Sequence, residues 1–297
     1  MSLADIDAAF GPEFDPAFYR QGHPDLAKFS DAELVAHYDR HGRAEGRLAS
    51  PLAMRAAFVA ALRNLQPALE IGPFASPCLA GRGVRYLDVL DTEQLKQRAR
   101  EHKLKPAGVP HIDYVSQPDQ LDTRGDRFTL VFSCHAIEHQ PDLVRHLQQV
   151  ESILVPGGAY AVIVPDCRYC FDHFLAPSNI AMVLQAFAEK RTRHTLASVV
   201  EHRALTTHND PRLHWQGNHG EPGPDPGRLR AALDEWEASP EKYHDVHAWQ
   251  FTPASFRRIM QGLHDLGLTR LAPLRVYDTP YGQFEFCALL APSSDQT

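Results

Sequence analysis

From residue 68 to residue 164 the chain alternates short apolar runs with stretches whose apolar residues recur at helical spacing, and no other feature restricts the fold as strongly. Residues 68–71, 84–89, 112–115, 128–132 and 160–164 read as strands, and 92–102 and 141–154 as helices. A strand followed by a helix and another strand makes a parallel pair. A parallel sheet in turn needs helices over both faces, so the fold is α/β.

The pattern weakens beyond the fifth predicted strand. Residues 178–250 are rich in His, Pro and Gly, with helices predicted at 180–189 and 227–237, and the segment reads as an insertion that covers a substrate. Regularity then returns. An amphipathic helix over 252–266 turns Phe256, Ile259, Met260 and Leu263 inward, and two apolar runs, 271–277 and 284–290, flank the turn residues Pro280-Tyr281-Gly282 as a hairpin. Residues 51–65 read as a connecting helix with Leu52, Ala56 and Val59 on one face. Before it, a helix over 31–41 starts at Ser30 or Asp31, buries Leu34 and Tyr38 and stops at Gly42. The chain thus divides into a small helical module, 1–50, and a main domain, 51–297, with its insertion at about 178–250.

Composition excludes several classes. With 43% apolar residues, 23% charged residues and a net charge of -7, the chain is neither disordered nor a nonspecific binder of phosphate backbones. Its start lacks a basic segment leading into an apolar run, and no 18 apolar residues follow one another, so a soluble, cytoplasmic protein without nucleic acid or membrane insertion is expected. The five cysteines are too scattered for a disulfide framework, and Cys167-x-x-Cys170 lacks a second pair. His244-x-x-His247 is the one close pair in the histidine-rich insertion, so no metal is expected.

Three segments carry chemistry. Gly72, followed by Pro73, comes directly after the first predicted strand, where a residue without a side chain lets the backbone bend and approach a nucleoside. Asp88 ends the second strand eighteen residues beyond Glu70, the place from which a carboxylate holds both ribose hydroxyls; the same geometry serves NAD. Third comes Asp126-Arg127-Phe128-Thr129-Leu130-Val131, then His135-x-x-Glu138-His139, then Leu154-Val155-Pro156-Gly157-Gly158. Pro156 is read as ending a helix and the glycines as turning into the fifth strand.

Together with Glu70-Ile71-Gly72, this order resembles the small-molecule branch of the class I S-adenosylmethionine-dependent methyltransferases. Phe74 and Ser76 replace the later glycines of the first motif, and Thr129 stands where Asp is usual. The resemblance implies a Rossmann-like, seven-stranded, mostly parallel sheet with an antiparallel last strand, S-adenosylmethionine as cofactor, and O- or N-methylation of a small molecule or glycan. It implies that Glu70, Gly72 and Pro73 lie near the methionine end, Asp88 on the ribose and Asp119 on the adenine, with Cys134, His135 and Glu138 along the cleft. His139, Asp166 and His208 are the candidate catalytic groups, and Trp215, Trp236 and Trp249 candidates for stacking on a sugar. Two rivals stay open. An NAD-dependent oxidoreductase would share Asp88, although Gly-x-Gly-x-x-Gly is missing, and a noncatalytic Rossmann-like module would keep the fold without turnover.

The first fifty residues resemble something else. Phe14-Asp15-x-x-Phe18-Tyr19, Pro24-Asp25 and His37-Tyr38-x-x-x-Gly42-x-x-Glu45-Gly46-Arg47 are similar to a short module that accompanies glycosyltransferases and other proteins of surface-polysaccharide assembly. That likeness implies association with glycan-assembly enzymes.

Overall fold

The computed structural model describes residues 10–117, 119–221, 223, 225–239 and 241–293. Pro118, read from the sequence as part of the turn before Asp119, lies outside them. Seven strands, β1 (Ala68–Ile71), β2 (Val84–Asp88), β3 (Tyr114–Val115), β4 (Phe128–Cys134), β5 (Leu154–Pro165), β6 (Leu271–Val276) and β7 (Glu285–Pro292), form one sheet in the order β3-β2-β1-β4-β5-β7-β6. All pairs from β3 to β5 are parallel, and β7 runs antiparallel to both β5 and β6, as the expected hairpin requires. The fold is Rossmann-like. Strand order reverses between β1 and β4, and beyond the carboxyl ends of strands at such a reversal a crevice opens.

Alternation along the strands sorts side chains into two layers. Leu69, Ile71, Val131 and Val162 join α5 (Leu143–Ile153), α6 (Ile180–Ala188) and α10 (Pro253–Asp265) in one core, where Leu147, Val183, Phe256 and Leu263 are buried. Ala68, Leu130, Phe132 and Ile163 face the other way, onto Phe58 and Leu62 of α3 (Arg55–Leu62). The predicted inward set of the closing helix is buried as expected.

Two local readings need correction. Pro156-Gly157-Gly158 does not turn into β5 but lies within it: α5 has already ended at Ile153, and Phe128 pairs with Leu154 while Leu130 pairs with Ala159, so the extra residues form a bulge. Glycine is needed there because Gly157 has φ +77° and a Cβ on Gly158 would come within 3.0 Å of the Thr129 carbonyl. Residues 51–65 are also not one helix. A 3-10 turn, Pro51–Ala53, leads through extended Met54 into α3, which rotates Ala56 outward and buries Phe58.

The amino-terminal segment contains α1 (Pro16–Gly22) and α2 (Asp31–His37), the latter opened by a reciprocal Ser30–Glu33 capping box and continued by a π turn, Tyr38–Gly42. Tyr19, Leu26, Leu34 and Tyr38 form its own small core. It docks on the β6–β7 connection, where the Tyr38 hydroxyl donates to Asp278 at 2.8 Å and the Tyr281 N–H to the Gly46 carbonyl at 2.8 Å. In the insertion, α7 (Leu196–Ala204) and α8 (Pro211–Trp215) join α6 and α9 (Pro226–Ala238); the sequence had not marked these two. Among the described residues no helix is long and apolar enough to cross a membrane.

Candidate active site

A cavity of about 1310 Å³ lies over the carboxyl ends of β1, β2 and β4, where the sheet order reverses. One wall is the bend after β1 together with the end of β2 and α4 (Thr92–Glu101). The opposite wall is the turn after β4, the end of α9 at Ala238 with Ser239, and residues 242–245. Arg98 on α4 reaches across to Asp245, Nη2 to Oδ2 2.6 Å, and ties the two walls together.

At the first wall Gly72 has φ +68°, its N–H donates to the Leu87 carbonyl at 2.9 Å, and a Cβ there would meet nothing nearer than Ala136 at 3.7 Å. Backbone conformation, not crowding, therefore requires the glycine. Asp88 lines the cavity as the last residue of β2. Burial raises its pKa, and the Leu90 N–H, donating to Oδ1 at 3.2 Å, only partly offsets this. A buried carboxylate facing a void gains by accepting ligand hydroxyls.

At the second wall His135 and His139 line the cavity. His135 holds a left-handed backbone, φ +51°, costly for a residue with a Cβ, and the contact that comes with it is Nε2 on Glu285 at 2.7 Å. Burial disfavours the Glu285 carboxylate, but Arg55 and His135 outweigh it and hold the pKa at about 2. His139 Nδ1 lies 3.1 Å from Asp245 Oδ1, at an angle outside hydrogen-bond geometry. Burial works against its protonation, yet Asp245, Glu138 and Asp172 together raise its pKa.

Several expected site residues lie elsewhere. Glu70 faces the α3 side of the sheet, opposite to Leu69 and Ile71, and both its oxygens are taken by the Cys78 and Leu79 N–H groups at 2.8 Å; burial still lifts its pKa to about 7. Its role is to close the loop after β1. Pro73 is buried beside Gly72 and does not line the cavity. Cys134 packs with the α3 layer, because neighbouring residues of a strand point to opposite faces. Asp119 pairs with Arg145 of α5 at 3.3 Å, away from the cavity, and Gln117, Gln120 and Leu121 of the same loop line it instead.

Two candidate catalytic groups are also displaced. Asp166 is fully buried and consumed by Arg168, with Nη2 to Oδ2 2.6 Å, and by the Thr279 hydroxyl at 2.6 Å. His208 bonds the Asn218 carbonyl and stacks on His214 in the insertion. Of the three, only His139 reaches the cavity. The tryptophans are engaged as well: Trp249 is buried in the core, Trp215 stacks on Tyr169 at 3.8 Å, and Trp236 on His244 at 5.5 Å.

Glu138 is the unexpected group. It lies beneath His135 and His139, fully buried, and neither carboxylate oxygen has a hydrogen-bond partner. Tyr243 and Asp245, which line the second wall, had no signal in the sequence beyond their place in the insertion.

Residues 72–162 match the family model described as a methyltransferase domain. The CcbJ methyltransferase from Streptomyces caelestis is 16% identical over 80% of this chain and 94% of that chain, with a TM-score of 0.41. An S-adenosylmethionine-dependent methyltransferase from Clostridium acetobutylicum is 10% identical over 89% of this chain and 99% of that one, with a TM-score of 0.42. No curated protein matches the sequence. The matched segment runs from the bend after β1 through Asp88 and the turn after β4 into β5. It supports an enzyme of methyl transfer.

Proposed function

We propose that the chain transfers a methyl group from S-adenosylmethionine to an oxygen or nitrogen of a small-molecule acceptor, with glycans the favoured acceptor class. One observation carries the reading: a single cavity at the strand-order reversal brings together the bend at Gly72, the buried carboxylate of Asp88 and the ring of His139. These residues fit the cofactor. Asp88 would accept from the ribose hydroxyls, the backbone at Gly72 would lie along the methionine portion, and Gln117 and Gln120 would flank the adenine.

Bound S-adenosylmethionine supplies a methyl carried on a positive sulfur. What remains for the protein is to align an acceptor in line with that methyl and to exclude water, so few side chains are obligatory. The Arg98–Asp245 bridge keeps the second wall over the cleft, and His139 stands where an acceptor's proton would leave. The glycan preference rests on residues 14–47. We place the enzyme in the cytoplasm beside glycan-assembly enzymes on the same ground.

Calorimetry with S-adenosylhomocysteine and with NAD tests the cofactor: binding of the first alone is expected, and binding of NAD alone overturns the reading. Labelled S-adenosylmethionine offered with sugar nucleotides, oligosaccharides and unrelated small molecules tests the acceptor. Label on unrelated acceptors only rejects the glycan, and cofactor binding without any transfer favours a noncatalytic module.

A further inference from the structure

We infer that the chain binds one divalent cation of the zinc class between Glu138, His139 and His247, at the inner edge of the cleft. The donor atoms of these three residues lie within 4.8 Å of one another. Glu138 Oε1 is 3.9 Å from His139 Nε2 and 3.9 Å from His247 Nε2, with His135 Nδ1 beside them at 3.8 Å.

These separations discriminate between explanations. A proton shared between carboxylate and imidazole draws one nitrogen to about 2.7–2.9 Å. Here no nitrogen comes closer to Glu138 Oε1 than 3.8 Å, and the carboxylate is left without a hydrogen bond. Zinc at about 2.0–2.1 Å from each donor needs donors about 3.4 Å apart, so each imidazole must close on Glu138 by about half an ångström, and the two imidazole nitrogens, within 4.8 Å, must close on each other.

The outer contacts agree. His247 Nδ1 lies 2.6 Å from Asp172 Oδ2, and with the proton on Nδ1 the Nε2 lone pair is free to face Glu138. His135 repeats the arrangement through Glu285, whereas His139 Nδ1 is near Asp245 at 3.1 Å without a hydrogen bond to it. Ligating histidines characteristically have a carboxylate on the outer nitrogen, which fixes the tautomer and strengthens the ligand. Glu138 and Asp172 also leave buried carboxylate oxygens without partners, positions that a bound cation would satisfy. Two imidazoles and a carboxylate suit zinc or a neighbouring transition metal better than magnesium.

Of the three ligands only His139 lines the cavity, so any coordination positions left open on its side would face the cavity. On the proposed methyltransferase reading they face the acceptor, whose hydroxyl or amine would be a further ligand.

A second trio, His173, His214 and His219, supplies the control. There His173 and His219 stack at 3.6 Å and His214 Nδ1 bonds His219 Nδ1 at 3.0 Å. The full chain carrying His219→Ala, stripped with a chelator, is titrated with Co²⁺ and followed by its visible absorption. One Co²⁺ per chain, displaced by Zn²⁺, is expected. Glu138→Gln and His247→Gln in that background should weaken binding by at least about tenfold, and Asp172→Asn by about tenfold. Circular dichroism of the metal-free variants reports their fold, and volume-conserving Glu138→Gln decides the matter if His247→Gln unfolds. No Co²⁺ bound in the His219→Ala background, or undiminished affinity in folded Glu138→Gln, overturns the proposal. No methyl donor is present, so the outcome is independent of the methyl-transfer reading.

Discussion

The two walls of the cleft are built on different plans. Gly72, Asp88 and α4 come from thirty consecutive residues, 72–101, where Asp88 alone faces the void, while Glu70 just before them points to the other side of the sheet and is satisfied by two N–H groups. The other wall draws Glu138 and His139 against Asp172, Asp245 and His247, and it concentrates carboxylates around imidazoles without a full set of partners. The first wall is a stable receptor in itself. The second leaves buried oxygens of Glu138 and Asp172 without donors, so a bound cation would stabilise it and link its shape to cation affinity.

The largest effect that sharpens this contrast involves a carboxylate belonging to neither wall. Asp166→Ala removes the buried acceptor of Arg168 and Thr279 and should lower stability by about 2 to 3 kcal/mol in chemical denaturation, while the folded protein keeps its affinity for S-adenosylhomocysteine. A clear loss of affinity in the folded variant would return Asp166 to the site.

A pH effect of similar size should come from the core under the second wall. His146 is buried against the Tyr160 hydroxyl, and burial lowers its pKa from 6.5 to about 4. Since the neutral ring is the folded form, this contribution is fully present above pH 6.5 and is lost as the pH falls toward 4. The loss amounts to about 3 kcal/mol and should shrink in His146→Gln, measured as the difference between the two denaturation series.

Asp88→Ala tests the first wall directly. Losing a charged acceptor for the ribose should weaken S-adenosylhomocysteine by about 2 kcal/mol, about thirtyfold by calorimetry. Unchanged affinity would break the contrast, because the first wall would no longer hold the nucleoside. Asp119→Ala gives the smallest effect. Its partly exposed pair with Arg145 is worth under about 1 kcal/mol, and cofactor affinity should not move.

The strands from β1 to β4 and the closing helix were legible because their signal is local. Periods of two and 3.6 residues, a capping carboxylate at Asp91 and a glycine at a left-handed bend are each contained in a few neighbouring residues. Errors arose where a side chain's partner is distant. Asp119 looked like an adenine reader until Arg145 took it, and Asp166 like a base until Thr279, 113 positions onward, closed over it. Cys134 and His135 looked equivalent because strand end and cleft were read together, whereas the strand's alternation sends only one of them to the cavity.

Sequence by itself determined the parallel order of the sheet's first half, the antiparallel hairpin at its end, the bend at Gly72 and the carboxylate of Asp88, since each follows from spacing within one strand-helix unit. Tertiary structure alone decided that Glu138 is buried without a partner and that His247, held by Asp172, meets it from the insertion. Those contacts depend on how a long, irregular segment folds back over the sheet, and no periodicity in the segment records where it lands.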